Sequence, residues 1–249
     1  MLLTALVAWR ARLEVSRAVV VAALRATLQL GAVSLLIGAI VGSALASAAF
    51  VVLMVVVAAR TAGKRMTDDR TGWWAALPVA LTPLPVVAAL VAGGVVPPTG
   101  IAVIPMAGIL VGGAMTATAL AGRRALDELR NRRGEVEAAL SLGLLPRDAA
   151  MEIARPTATQ ALVPALDQTR TVGLVTLPGA FVGMLLGGAT PIQAGAVQLL
   201  VLIMLLAVET VAVAVTVEMV CRGWIRRAET VSEVGRRTAS HGQRRTTAS

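Results

Sequence analysis

Two carboxylates lie in the long apolar run from Pro191 to Cys221: Glu209 and, nine residues on, Glu218. An ionisable group held among apolar residues is expensive, so it is a functional candidate by default. Glu209 would meet a substrate or carry a proton; the competing role is an internal hydrogen bond or a partner such as Arg25. Arg25 and Gln29, four apart in an apolar stretch near the start, share a helical face and would line a path or brace it. Met106, Met115, Met184 and Met204 could offer thioethers to a soft metal, although Met also fills irregular gaps in cores. Pro178 and Gly179 would interrupt a helix where lipid cannot solvate a freed carbonyl, so they too are pathway candidates. The single cysteine, Cys221, excludes an intrachain disulfide, and neither it nor the single histidine, His241, has companions at metal-ligand spacing. Metal ligands therefore stay unassigned.

The elements that must position these groups follow from charge and hydropathy. All 23 Lys and Arg residues fall in four stretches, Arg10 to Arg25, Arg60 to Arg70, Arg123 to Arg170 and Arg222 to Arg245, with apolar spans between them. Basic residues gather on the cytoplasmic side of membrane proteins, so the pattern predicts an all-α polytopic membrane protein with six transmembrane helices and both ends inside. The helices are expected at about Ala18 to Val41, Ala44 to Ala59, Trp73 to Val95, Ile101 to Ala121, Thr171 to Gly188 and Pro191 to Cys221. Glycines four apart (Gly38 and Gly42, Gly108 and Gly112, Gly179 and Gly183) would let helices pack closely. The mean hydropathy of +0.78 and the 15% charged content, against roughly 25% in soluble domains, agree with a bilayer protein. The net charge of +9 does not indicate nucleic acid, because aromatics are 2% of the chain and the Arg sit beside membrane spans. The domain reading is a short segment over 1–17, four spans over 18–122, a cytoplasmic coupling loop over 123–170, two spans over 171–221, and a basic tail over 222–249. In that tail Arg222, Arg226 and Arg227 would sit near anionic head groups of membrane lipids, with disorder beyond about Ala228.

The polar loop carries the most specific pattern. Glu137-Ala138-Ala139 is followed by Gly143 after three residues, by Ile153 after nine more, and then by Arg155-Pro156. This spacing resembles the EAA signature of ABC permeases, with Arg155 in place of Leu. A helix over about Glu135 to Leu142, a Gly break, Pro146 and a second helix from Arg147 predict a compact helix-turn-helix. Such a unit can present a short helix to an ATPase and pass its motion to the spans, with Glu137, Ala138, Ala139, Gly143, Ile153 and Pro156 as the coupling residues.

From Val103 to about Val208 the chain also resembles the iron-export ABC permease family (FetB-like), which includes plant half-transporter membrane subunits linked to aluminium tolerance. The residues that carry it are Ile104-Pro105-Met106-Ala107-Gly108, Leu140-Ser141-Leu142-Gly143, Leu162-Val163-Pro164 with Asp167, and Thr171-Val172-Gly173-Leu174-Val175 leading into Leu177-Pro178-Gly179. Gly112-Gly113-Ala114-Met115 stands where the family usually reads Gly-Asn-Ala-Met, and Gly179-Ala180-Phe181 where it reads Gly-Met-Met. Family members commonly have one more N-terminal helix, of which Met1 to Trp9 would be a truncated remnant. The resemblance implies a permease in the cell membrane with a cytoplasmic C-terminus, two copies of which assemble with two ATPase subunits and export an iron-like metal ion or related solute by alternating access. The sequence holds no Walker loop, so no cofactor is expected in this chain and ATP and Mg would sit on the partner. The alternative from the residues alone is a proton-coupled carrier using Glu209 and Glu218. An intramembrane enzyme lacks its parts: there is no HExxH and no GxSxG.

Overall fold

The computed structural model describes Arg10 and residues 16–227, and every described element is helical apart from an isolated bridge between Val172 and Thr176. In chain order the helices are α1 (Ser16–Ile40), α2 (Ala44–Met66), a 3-10 turn (Arg70–Ala75) leading into α3 (Ala76–Leu81), α4 (Pro83–Ala92) and α5 (Gly100–Asn131). After these come α6 (Arg133–Ser141), α7 (Pro146–Ala158), a 3-10 turn (Thr159–Leu162), α8 (Val163–Thr171), α9 (Gly179–Leu186) and α10 (Pro191–Cys221). The remnant helix expected over Met1 to Trp9 and the tail beyond Arg227 lie outside the described residues.

Among the described residues, five stretches are long and apolar enough to cross a membrane: Val20–Ile40, Ala44–Met66, Arg70–Ala92, Gly100–Asn131 and Pro191–Cys221. The chain is a multi-pass helical membrane protein. Two spans outrun their expected limits. α2 continues past Ala59 to Met66 because Arg60, Lys64 and Arg65 close its last turns, where cations suit the helix dipole and long side chains reach the interface. α5 continues past Ala121 for a further ten residues, to Asn131, as a polar extension.

The continuous helix expected over Thr171 to Gly188 is not what forms. The chain leaves α8 at Val172 in an extended conformation, turns through Gly173 at φ 84°, and re-enters a helix only after Pro178. Pro178 has no N–H to give to a preceding turn, and its own φ of −63° and ψ of 150° cap α9 from outside. An interruption was expected at Pro178 and Gly179; a break of seven residues, 172–178, is found just before Gly179.

Two stacked cores hold the spans together. One, toward the basic end, gathers Met66, Ala121, Ala125, Met151, Ala154, Ala158, Val217 and Ile225; the other, farther along the spans, gathers Val51, Val87, Ile104, Leu110, Ala114, Val208 and Ala212. Much of this packing is Ala against Ala, which brings backbones close where lipid supplies no hydrophobic drive between helices. Of the expected glycine seams, Gly108 meets α2, where a Cβ would lie 3.0 Å from Met54 Cε, while Gly38, Gly42, Gly112, Gly179 and Gly183 have open space where a Cβ would be. Closer approaches are at Gly63 against Gly72, at Gly100 against Ser47, at Gly113 against Leu205, and at Gly122, where a side chain would strike Met66 Sδ and approach Thr216 Cγ2 at 3.2 Å. α5 is the centre of the fold, packed against α2, α10 and α7. α1 stands apart, with no residue of Val20–Ile40 buried.

The first residues after α10 are docked on the protein rather than released to lipid. Arg222 donates to Glu218 at 2.6 Å, Arg227 pairs with Asp127 and donates to the Met66 carbonyl at 3.2 Å, and the Arg226 amide donates to Thr71 Oγ1 at 3.1 Å. Trp224 stacks on Trp74 with ring centroids 5.2 Å apart. These contacts hold the backbone against the helices while the Arg222 and Arg226 side chains stay exposed, which is compatible with the head-group role expected for these arginines.

Candidate functional site

The helix-turn-helix is built from local rules. α6 ends at Ser141, Leu142 and Gly143 close a Schellman-type turn in which Leu144 N–H bonds the Ala139 carbonyl at 3.2 Å, and Gly143 takes φ 92°. Pro146 then starts α7 at the one helical position where its missing N–H costs nothing. α6 has no buried residue, so Glu137 and Ala138 are exposed, with Ala139 partly covered. Glu137 accepts from Arg133 at 2.9 Å, and Arg132 holds the Glu135 carboxyl below the usual carboxylate range. The turn bears a bare apolar tip: Leu142 is 82% exposed and Leu145 68%. α7 is different in kind, because its Ala149, Ala150, Met151, Ile153 and Ala154 are buried in the core. Ile153 therefore packs inside the unit and anchors it, and Pro156 lies exposed farther along α7.

Arg147 ties this unit to the last span. Its guanidinium donates to both oxygens of Glu218, at 2.8 and 2.7 Å, and to Asp148 at 2.7 Å. Glu218 is thus held in ion pairs at the end of α10, not idle inside the membrane. Glu209, two and a half turns farther in, is nine-tenths buried and has no hydrogen bond or ion pair among the described residues.

Glu209 opens on a cavity of about 250 Å³, lined with it by Gly112, Gly113 and Thr116 of α5, Ala161, Pro164, Ala165 and Gln168, and Leu205 of α10. The wall formed by Ala161 to Gln168 is the chain that has just left α7, so the coupling unit and the cavity are continuous. Gly113 matters here, since a Cβ at that position would lie 2.7 Å from Glu209 Oε1 and strike Leu205. None of the candidate methionines lines this cavity. Met115 borders a separate apolar cleft with Phe50 and Met54, Met204 packs in the second core, and Met106 and Met184 are partly buried on α5 and α9. Arg25 and Gln29 are exposed on α1, and Arg25 is not the partner of Glu209. Pro178 and Gly179 form the break before α9.

Sequence reasoning passed over Thr116, Arg147 and Gln168 as site residues and met Gly113 only as the position where the family usually has Asn. Arg147 left a signal too: a cation in the first turn of a helix opposes the dipole, so it needed a partner elsewhere.

Comparison with known proteins agrees with this architecture. STAR2, a UPF0014 membrane protein of Oryza sativa subsp. japonica, is 40% identical over 170 residues, 66% of this chain and 60% of that protein. Protein ALUMINUM SENSITIVE 3 of Arabidopsis thaliana is 38% identical over 159 residues, 64% of this chain and 58% of that protein. The probable iron export permease protein FetB of Escherichia coli strain K12 is 36% identical over 105 residues, 42% of this chain and 40% of that one. The chain thus spans less than two thirds of the length of these relatives, and no solved structure matches it. The model of the uncharacterised protein family UPF0014 matches residues 1–225, and the chain belongs to that family.

Proposed function

We propose that this chain is the membrane-spanning permease subunit of an ABC transporter, exporting a metal ion or related small solute across the cell membrane. Two copies would combine with two separate ATPase subunits, which bind and hydrolyse ATP, and the C-terminus would face the cytoplasm. The observation that carries the reading is the α6–α7 unit: its tip, with Leu142 and Leu145, is apolar and bare, while its other end continues directly into the wall of the Glu209 cavity. A push on the tip is delivered through α7, rigidly packed by Ile153 and its neighbours, to Ala161 through Gln168. The Arg147 to Glu218 pair delivers the same push to α10, which carries Glu209. Both walls of the cavity are thereby linked to the ATPase side, as alternating access requires. The iron export permease name of one relative and the EAA-like spacing of the loop point the same way.

The proton-coupled alternative loses one of its two acids, since Glu218 is engaged by Arg147 and Arg222. The test is transport in vesicles containing this chain and its cognate ATPase, loaded with metal ion. ATP-dependent movement that stops on omission of the ATPase is expected; movement driven by a pH gradient alone, without ATPase or ATP, would overturn the reading.

A further inference from the structure

Glu209 is the most anomalous residue in the fold. The residue is nine-tenths buried, stands about 18 Å from the end of α10 at 1.5 Å per residue, and is answered by no cation among the described residues. Around it are Gly, Ala, Pro, Ile and Leu with two uncharged polar side chains, Thr116 and Gln168, and no cation. A carboxyl in such a place either takes up a proton or stays charged at a cost, and a cation brought to it removes that cost.

We propose that the cavity is a binding station for a small hydrated divalent cation, held through oxygen by Glu209 with the Thr116 hydroxyl and the Gln168 side-chain amide. This rests on the transport reading above and names what that site takes. The donor set is hard: carboxylate, hydroxyl and amide oxygen, with no Met, Cys or His among the lining residues. Thr116 Oγ1 spends its proton on the Gly112 carbonyl at 3.0 Å, which leaves its lone pairs facing outward as acceptors. The volume of about 250 Å³ fits an ion that keeps its shell, because six waters at about 30 Å³ each fill roughly 180 Å³. A bare ion would rattle in it, and a drug-sized solute needs more than roughly 300 Å³. One carboxylate cannot strip a small divalent ion of its water, and ions of that kind are held through one or two carboxylates with most of the shell intact. Such binding is weak enough to release on the other side. Gly113 is the specificity-determining position, since any side chain there would occupy the space the carboxylate and its ion share.

The experiment uses the full-length chain in lipid nanodiscs with Mn²⁺ as probe, followed by electron paramagnetic resonance and titration calorimetry. Saturable Mn²⁺ binding is expected, weakened at least about tenfold in Glu209→Gln and in Gly113→Ala, and unchanged in Met115→Leu and Met204→Leu. Glu209→Gln should melt no lower than the parent, because the carboxyl makes no hydrogen bond or ion pair among the described residues for the substitution to break, and this separates loss of a ligand from loss of the fold. Absence of Mn²⁺ binding by the parent, binding indifferent to Glu209→Gln, or preference for Ag⁺ that disappears in the Met variants would each overturn the station. Binding of the cognate ATPase to the same nanodiscs is measured in parallel: if it persists while Mn²⁺ binding is absent, only the station fails, and if it is absent while Mn²⁺ binds, only the ABC reading fails.

Discussion

Arg147 is an unexpected residue one position into a helix, where the dipole favours acids and Asp148 fits better. Its place is explained by reach: the planar guanidinium grips both oxygens of Glu218, a bidentate geometry that a lysine cannot reproduce. Both partners are substantially solvent-exposed, so the pair adds little to stability. Its value is mechanical, because it joins the coupling unit to the span that carries Glu209. We expect Arg147→Lys and Arg147→Met to leave expression and melting temperature close to the parent's while lowering ATP-driven transport by roughly tenfold, within the usual range of coupling between sites. A double-mutant cycle with Glu218→Gln should then show strongly non-additive losses in transport. Additive losses would mean that the two residues act separately.

At the scale of elements, the α6–α7 turn rests on one backbone angle. Gly143 at φ 92° has open space beside it, so a side chain would meet no neighbour but would force the backbone into a region that L-residues avoid, at about 1–2 kcal/mol. Gly143→Asp should therefore insert and fold, because the core contacts of α7 are untouched, yet lose ATP-driven transport as the tip is redirected. Normal transport by this variant would remove the tip from the coupling path. Gly122 is the opposite case: a methyl there collides with Met66 and crowds Thr216, where α2, α5 and α10 meet. Gly122→Ala should lower stability by about 1–3 kcal/mol by overpacking, read as a drop in melting temperature, with partial recovery in Gly122→Ala/Met66→Ala. The helix-turn-helix was legible in the sequence because its turn is written in local letters, Gly143 and Pro146, at helix-ending and helix-starting positions. The break at 172–178 was not, because hydropathy registers Val172, Leu174, Val175 and Leu177 as membrane residues whatever their backbone does. Nor was the Glu209 cavity, which needs Gly113, Gln168 and Glu209 from three distant stretches to meet.

For the whole molecule, the break also bears on assembly. α9 has eight residues, about 12 Å at 1.5 Å per residue, so with the turn at Gly188 at the edge of a hydrocarbon layer of about 30 Å the stretch 172–178 would lie within that layer. There the backbone is only partly satisfied. Thr171 O accepts from Leu174, Val175 and Thr176 N–H, but the Leu177 amide has no partner among the described residues. Lipid cannot solvate such groups, so irregular backbone at this depth must face protein or a watery cavity. Yet Leu174 is 92% exposed, Val175 78% and Leu186 85% on the single chain. A second copy, brought by the two-fold symmetry proposed for the transporter, would cover this face, since an isologous seam buries the same segment of both partners. Leu174→Cys in a Cys221→Ser background should accordingly form a disulfide-linked dimer in membranes under mild oxidation, while Leu45→Cys, equally exposed on α2, should not. If Leu174→Cys stays monomeric and instead reacts freely with a water-soluble thiol reagent, the segment lines an aqueous path and the two copies meet elsewhere.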